Sequence, residues 1–338
     1  MKYDLLIIVQ AAADLKHALL LCEKHDGKKI HLCIIHVELI YEFVKQLPLK
    51  NIDIDFHPYV QFNIRNPFSY SIVKNKLSII WKTYFKPNVY GKVYFFSRFY
   101  DWFSASLIGY LHRETGAEII YYDHYDDASI KSINIDRKIS IELIKHKFIA
   151  LVVSYISNVE FVYQYKFKSL EFNYLKYNIS KFSPNYKVYV NEKFQYKIKE
   201  NSNKVILFYL SKNEIVMLTE SAKKIVIKSL LSLKKLDYVL ILKGHPRTGF
   251  PKELVRYFDS IVPNYLPSEF ICYKNIFLTI GIVSAALCFP AQLDYKVFSL
   301  INALDFKHEN NKMDYYNYLM QLSDNKILFV SKDWLKDL

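Results

Sequence analysis

Glycine is scarce in this sequence, 7 of 338 residues. So low a content excludes collagen-like and glycine-rich low-complexity chains. Neither G-x-G-x-x-G nor G-x-x-x-x-G-K occurs, so the glycine-cradled dinucleotide and Walker-type phosphate sites are excluded too. Cysteine is sparse: Cys22, Cys33, Cys272 and Cys288 form no C-x-x-C pair and sit among apolar neighbours. They read as small core residues in a reducing compartment, not as a disulfide framework or a zinc site. The trio His31, Cys33 and His36 has the spacing of a strand with a histidine toward each end. Long apolar runs are missing as well. Leu5–Val9 is too short for a signal-peptide core and follows Asp4. Asn275 to Leu293 is uncharged and about long enough for a bilayer, yet Gly281, Ser284 and Pro290 divide it into strand, turn and helix. A cytoplasmic protein is expected.

Aromatic residues are plentiful, with 29 Tyr and 24 Phe, and 51% of the chain is apolar against 23% charged. This is the balance of a folded protein, and the length allows two ordinary domains. The net charge of +13 favours anionic partners: phosphates, acidic sugars, nucleic acid or anionic lipid head groups. No basic recognition helix or zinc-finger spacing singles out nucleic acid, so none is expected as partner. Peripheral contact with an anionic inner membrane is compatible with the charge.

Apolar runs of strand length alternate with segments of helical spacing from the first residue. Strands are expected at Leu5–Val9, Ile30–Ile35, Ile52–Phe56, Val93–Phe96 and Ile119–Tyr122. Helices are expected at Ala12–Cys22, Ile40–Gln46, Trp102–Arg113 and about Ile139–Val153. Phe62 to Pro87 is aromatic, basic and broken by proline, and resists assignment. Periodicity fails between Tyr177 and Asn203, which marks a domain boundary. A second series follows: strands at Val205–Leu210, Tyr238–Leu242, Ile261–Val262, Ile276–Ile280, Lys296–Ser299 and Ile327–Val330, with helices at Ser221–Leu233 and Tyr315–Leu322. The expected fold is therefore α/β, with two Rossmann-like domains (1–190 and 191–338) facing each other across a cleft.

Four stretches carry chemistry. Lys243-Gly244-His245-Pro246-Arg247 breaks the chain directly after a strand, where open α/β sheets bind ligands. A Lys, a His and an Arg there suit a phosphate. Tyr125-Asp126-Asp127-Ala128-Ser129 also follows an apolar strand. Its adjacent carboxylates suit a general base, and equally suit a helix cap at Asp127 or Ser129. Glu269, at Pro267-Ser268-Glu269, suits ribose hydroxyls or a helix dipole. Val283-Ser284-Ala285-Ala286-Leu287 offers a hydroxyl at a strand-turn-helix, or a plain packing turn. A competing D-x-D at Asp53 and Asp55, the pattern of metal-dependent transferases, is short, and the His57-Pro58 beside it shows how readily such dipeptides arise by chance.

In order and spacing these four stretches resemble the bacterial GT-B sialyltransferases. Those enzymes carry an acidic Asp/Glu-Asp/Glu-Gly motif in the N-terminal domain, then Lys-Gly-His-Pro, Pro-x-Glu and paired-Ser motifs. The resemblance implies an inverting, metal-independent transferase needing no cofactor. It would move sialic acid or a related nonulosonic acid from CMP to a lipid-linked or surface glycan such as lipooligosaccharide, O-antigen or capsule. By the same resemblance Asp126 is the base, supported by Asp127, and His245 meets and protonates the phosphate of CMP. Lys243, Gly244 and Pro246 border the nucleotide, Glu269 the ribose, and Ser284 and Ala285 the phosphate. Ala128 stands where the motif has Gly, and Ala285 where it has a second Ser. A CMP-Kdo transferase and a non-catalytic polysaccharide-assembly protein are the rival expectations.

Overall fold

The computed structural model describes all residues except 37, 59–67, 97–101, 125–143, 145–146, 149–150, 152–153, 156–159, 165–168, 173–178, 185–187, 201 and 246–247. The chain divides into two compact units, Met1–Tyr189 and Val190–Leu338.

In the first unit the apolar runs form β1 (Lys2–Val9), β2 (Ile30–Ile35), β3 (Ile52–His57), β4 (Val89–Phe95), β5 (Glu118–Tyr122) and β8 (Ser180–Phe182), in the order β3-β2-β1-β4-β5-β8. All five pairings are parallel. Leu6, Ile7, Ile8 and Val9 are all fully buried, because helices cover both faces of a parallel sheet and no side chain alternates out to water. Crossovers run through α1 (Ala12–Lys24), α2 (Glu38–Val44), α3 (Phe68–Ile80) and α4 (Trp102–Glu114). The unassigned stretch thus contains a helix, α3, whose Val73 and Leu77 pack into the core. It ends in a π-helical turn, Trp81–Phe85, before Pro87. A two-stranded antiparallel hairpin, β6 (Phe161–Gln164) with β7 (Ser169–Phe172), stands apart from the sheet.

The second unit repeats the plan. Strands β9 (Val205–Tyr209), β10 (Val239–Lys243), β11 (Ser260–Val262), β12 (Leu278–Gly281), β13 (Val297–Ser299) and β14 (Leu328–Phe329) form a parallel sheet in the order β11-β10-β9-β12-β13-β14. Its helices are α5 (Lys212–Met217), α6 (Glu220–Lys235), α7 (Cys288–Gln292) and α8 (Glu309–Leu322). On α6, Ala222, Val226, Leu230 and Leu233 are buried at helical spacing, each large one stabilising by about 1.5–3 kcal/mol. Thr219 accepts the Ala222 N–H and starts that helix. The segments after Pro251 and Pro267 form short 3₁₀ turns, Lys252–Tyr257 and Ser268–Phe270.

Each sheet thus reads 3-2-1-4-5-6 in its own numbering. The architecture is α/β, two Rossmann-like units in tandem, the plan of GT-B proteins. Among the described residues no helix is long and apolar enough to cross a membrane.

Candidate functional site

In both sheets the strand order reverses between the first and fourth strands, and ligands of such sheets bind beyond the strands' carboxyl ends at that reversal. In the second unit the reversal lies between β9 and β12, which end side by side at Tyr209 and Gly281.

One buried carboxylate ties the two loops there. Glu214 Oε2 accepts the Ser211 N–H at 2.7 Å, closing a capping box at the start of α5. Its Oε1 accepts the Val283 N–H at 3.0 Å. Burial pushes the Glu214 carboxyl up, against the downward pull of these backbone donors. Next to Val283, Ser284 accepts the Ala286 N–H at 3.3 Å and caps the turn Ala285–Leu287. Ser284 is half-buried and Ala285 exposed.

A tyrosine chain anchors the Pro-Ser-Glu step to the same edge. Tyr209 and Tyr273 share a 2.5 Å hydroxyl contact, and Tyr273 donates to the Ser268 carbonyl at 3.1 Å. Both rings are buried, and burial raises both hydroxyls far above their ordinary range. Glu269, half-buried, accepts from Ser268 Oγ at 3.0 Å and lies close enough to raise both tyrosines further.

At the end of β10 the His-Pro loop closes on itself. His245 N–H donates to the Gly249 carbonyl at 3.1 Å, and Gly249 N–H returns to His245 at 2.8 Å, with Gly249 at φ 69°. Gly244 admits no side chain: a Cβ there would lie 2.6 Å from Asn264 Oδ1 and 2.9 Å from the Gly249 carbonyl carbon. The Thr248 N–H donates to His245 Nδ1 at 3.3 Å. Neutral His245 then carries its proton on Nε2, and the side chain is exposed. Lys243 differs from the solvent-facing cation that its place in the loop suggests. It is 2% exposed, and its ammonium donates to the Gly244 and Asn264 carbonyls at 2.7 and 3.1 Å. Burial lowers it to about 8. It clamps the loop from inside.

In the first unit the corresponding edge holds a buried polar cluster. Asp14 Oδ2 accepts the Gln10 and Ala11 N–H groups at 3.0 and 2.8 Å, at the start of α1. Its Oδ1 meets His124 Nε2 at 2.8 Å, just past β5. His17 stacks on His124 with centroids 4.2 Å apart, and its Nδ1 lies 3.4 Å from the Tyr122 hydroxyl. Asp123 binds Lys181 at 2.7 Å.

Of the residues singled out in the sequence, Lys243 ends β10, while Gly244, His245, Glu269, Ser284 and Ala285 lie on loops beyond β10 and β12 or on the step anchored to β9. Asp126, Asp127, Ala128, Ser129, Pro246 and Arg247 lie outside the described residues. The D-x-D carboxylates are committed within the first sheet: Tyr3 donates to Asp53 at 2.7 Å, and His31 Nε2 lies 2.9 Å from Asp55. The His31 contact holds the Asp55 carboxyl low. Glu214, Asp14 and Tyr273 carry the edges without standing out in the sequence. The one local signal is Ser211-x-x-Glu214, a capping box.

No family model matches the sequence, and no curated protein does. Among solved structures, the chain resembles UDP-GlcNAc 2-epimerase from Methanocaldococcus jannaschii (12% identity, TM-score 0.47, 99% of this chain and 90% of that one). It also resembles the Neisseria meningitidis UDP-GlcNAc 2-epimerase bound to UDP-GlcNAc (16%, 0.45, 97% and 95%). A third is the GT-B domain of a Photobacterium damselae sialyltransferase (12%, 0.47, 97% and 100%). Each likeness concerns the course of the chain alone.

Proposed function

We propose that this chain is an inverting, metal-independent glycosyltransferase. It moves sialic acid or a related nonulosonic acid from its CMP donor to a bacterial surface glycan. One observation carries the reading: exposed His245 is held by Thr248 with Nε2 as its proton-bearing nitrogen, on a loop beyond β10. Ser284 and the tyrosine-anchored Glu269 belong to the same sheet's carboxyl edge. In the reaction the acceptor oxygen bonds to the anomeric carbon as its bond to the CMP phosphate breaks. Asp126 takes the acceptor proton, supported by Asp127, and His245 Nε2 gives one to the departing phosphate. Glu269 binds the ribose hydroxyls, Ser284 the phosphate, and the backbone at Gly244, Pro246 and Ala285 lines the nucleotide. A monophosphate leaving group needs only such donors for its developing charge.

The test is a thermal-shift series with CMP, CDP, UDP and GDP, followed by CMP release from CMP-sialic acid and CMP-Kdo. Selective stabilisation by CMP and release from the sialyl donor are expected. Asp126→Ala and His245→Ala should each lower turnover about 10²–10⁴-fold. Release from CMP-Kdo alone would replace the sialyl donor, and unchanged turnover in both variants would remove the assigned roles. CMP binding without any turnover would favour the assembly-protein reading.

A further inference from the structure

Two tyrosine hydroxyls lie buried behind Glu269. Tyr209, 4% exposed, ends β9 at the reversal of strand order, and Tyr273, 2% exposed, follows the turn Ser268–Phe270. Their 2.5 Å contact and the 3.1 Å bond from Tyr273 to the Ser268 carbonyl form one chain. The carbonyl end fixes its direction. A carbonyl only accepts, so Tyr273 donates its proton there and its oxygen accepts from Tyr209. Burial keeps both hydroxyls protonated at neutral pH.

The Ser268 carbonyl is satisfied without Tyr273. The Ile271 N–H donates to it at 3.1 Å and closes the turn, while Tyr196 holds the Phe270 carbonyl and the Cys272 N–H further on. The tyrosine is a second donor on this carbonyl. Its effect is to fix where the Ser268 peptide stands relative to the end of β9. From there the constraint passes to the Ser268 side chain, whose Oγ donates to Glu269 Oε2 at 3.0 Å. Oε1 of this half-buried carboxylate has no hydrogen-bond partner among the described residues.

We infer that Tyr209 and Tyr273 are positioning residues that make the site selective for ribonucleotides: they hold Ser268, and through it Glu269, with Oε1 presented to the ribose hydroxyls. This rests on the reading of Glu269 as the ribose ligand. A site built on a hydrogen bond to a hydroxyl rejects the analogue that lacks it, because the acceptor is left without a partner. Such rejection needs a carboxylate held in place, since misplacement by about 1 Å loses the bond. The sheet supplies that place. Tyr209 pairs with Gly281 of β12, the strand that leads to Ser284, so one edge sets the spacing between the ribose and phosphate contacts.

The experiment compares CMP with 2′,3′-dideoxy-CMP by isothermal titration of the full chain. The parent should bind CMP about tenfold or more tightly than the dideoxy nucleotide. Tyr209→Phe with Tyr273→Phe removes donor and acceptor together and leaves no buried hydroxyl of the pair unpaired, so melting should match the parent. Its CMP affinity should fall to within about threefold of its dideoxy-CMP affinity, which should stay at the parent value. A purely structural pair would weaken both nucleotides alike. Ser268→Ala cuts the last link at a half-buried position without touching the tyrosines, and should erase the preference in the same way. A preference kept in either variant, or equal weakening of both nucleotides, would overturn the inference and leave the CMP reading standing. A parent that binds both nucleotides equally overturns it too, by removing the ribose contact from Glu269. A parent that binds neither removes the nucleotide reading itself and this role with it.

Discussion

Asp14 joins two chain segments 110 residues apart: its Oδ1 meets His124 Nε2 at 2.8 Å while its Oδ2 holds the Gln10 and Ala11 N–H groups. The carboxylate is fully buried and the imidazole nearly so. It therefore fixes the chain just past β5 against the start of α1, two residues before Asp126 in the sequence. In Asp14→Asn the amide nitrogen cannot accept, so one side of this junction is lost. A cost of about 2–4 kcal/mol in urea unfolding is expected, above the roughly 1 kcal/mol of an ordinary helix cap. A loss below that cap value would mean that His124 contributes nothing to the junction.

His17 should make the fold acid-sensitive. Burial, with His124 and Lys16 adding to it, lowers its imidazole to about 3 from an ordinary 6.5. The folded chain therefore holds this side chain neutral where the unfolded chain protonates it. Its contribution is intact above pH 6.5 and is lost as pH falls toward 3, at up to about 1.4 kcal/mol per pH unit. His17→Phe keeps a ring on His124 and removes the titration. Urea midpoints between pH 4 and 7 should slope less in that variant; an unchanged slope would place the acid sensitivity elsewhere, for instance at His57, lowered to about 4.

The sheets were legible because parallel strands buried on both faces read as unbroken apolar runs: Leu5–Val9, Ile30–Ile35 and Val205–Leu210 all lie on strands or end one residue past them. The α3 helix was not, because its aromatic and β-branched residues lie between Pro67 and Pro87, and prolines on both sides read as breaks. The His-Pro loop and Ser284 were visible because Gly, Pro and Ser punctuate the ends of strands. Lys243 shows the limit of that reading. Position put it at the loop, but only the fold decides that its ammonium turns onto two carbonyls. The Asp14–His124 junction has no local signature, since neither residue's neighbours hint at the other.

Gly244 is fixed by close approach. A methyl group there meets both the Asn264 side chain and the Gly249 backbone, so Gly244→Ala should push the His245 loop outward. CMP affinity, followed by isothermal titration, is expected to fall about tenfold or more, because misplacement of about 1 Å is costly in a built site. Adding Asn264→Ala relieves the side-chain contact and leaves the backbone one, so recovery should be partial. Full recovery would show the backbone approach to be unimportant.

Glu214 holds the two loops at the β9–β12 reversal, so its loss should be felt at once in stability and in nucleotide binding. Glu214→Ala leaves the Ser211 and Val283 N–H groups buried without this acceptor, an expected cost of about 2–5 kcal/mol. Glu214→Gln keeps one acceptor and should lose less. The two variants also differ from the parent in pH response. Burial raises the parent carboxyl above its ordinary 4.5, so the folded chain keeps a proton that the unfolded chain has released. That contribution is complete below pH 4.5 and declines as pH rises through the raised value. Glu214→Gln cannot titrate, so its deficit should be greatest at low pH and narrow as the parent ionises. Chemical unfolding from pH 4 to 8, with CMP titrations alongside, measures both effects. A pH-independent deficit would mean that the carboxyl does not titrate differently in the folded chain, and unchanged CMP affinity would separate this carboxylate from the nucleotide site.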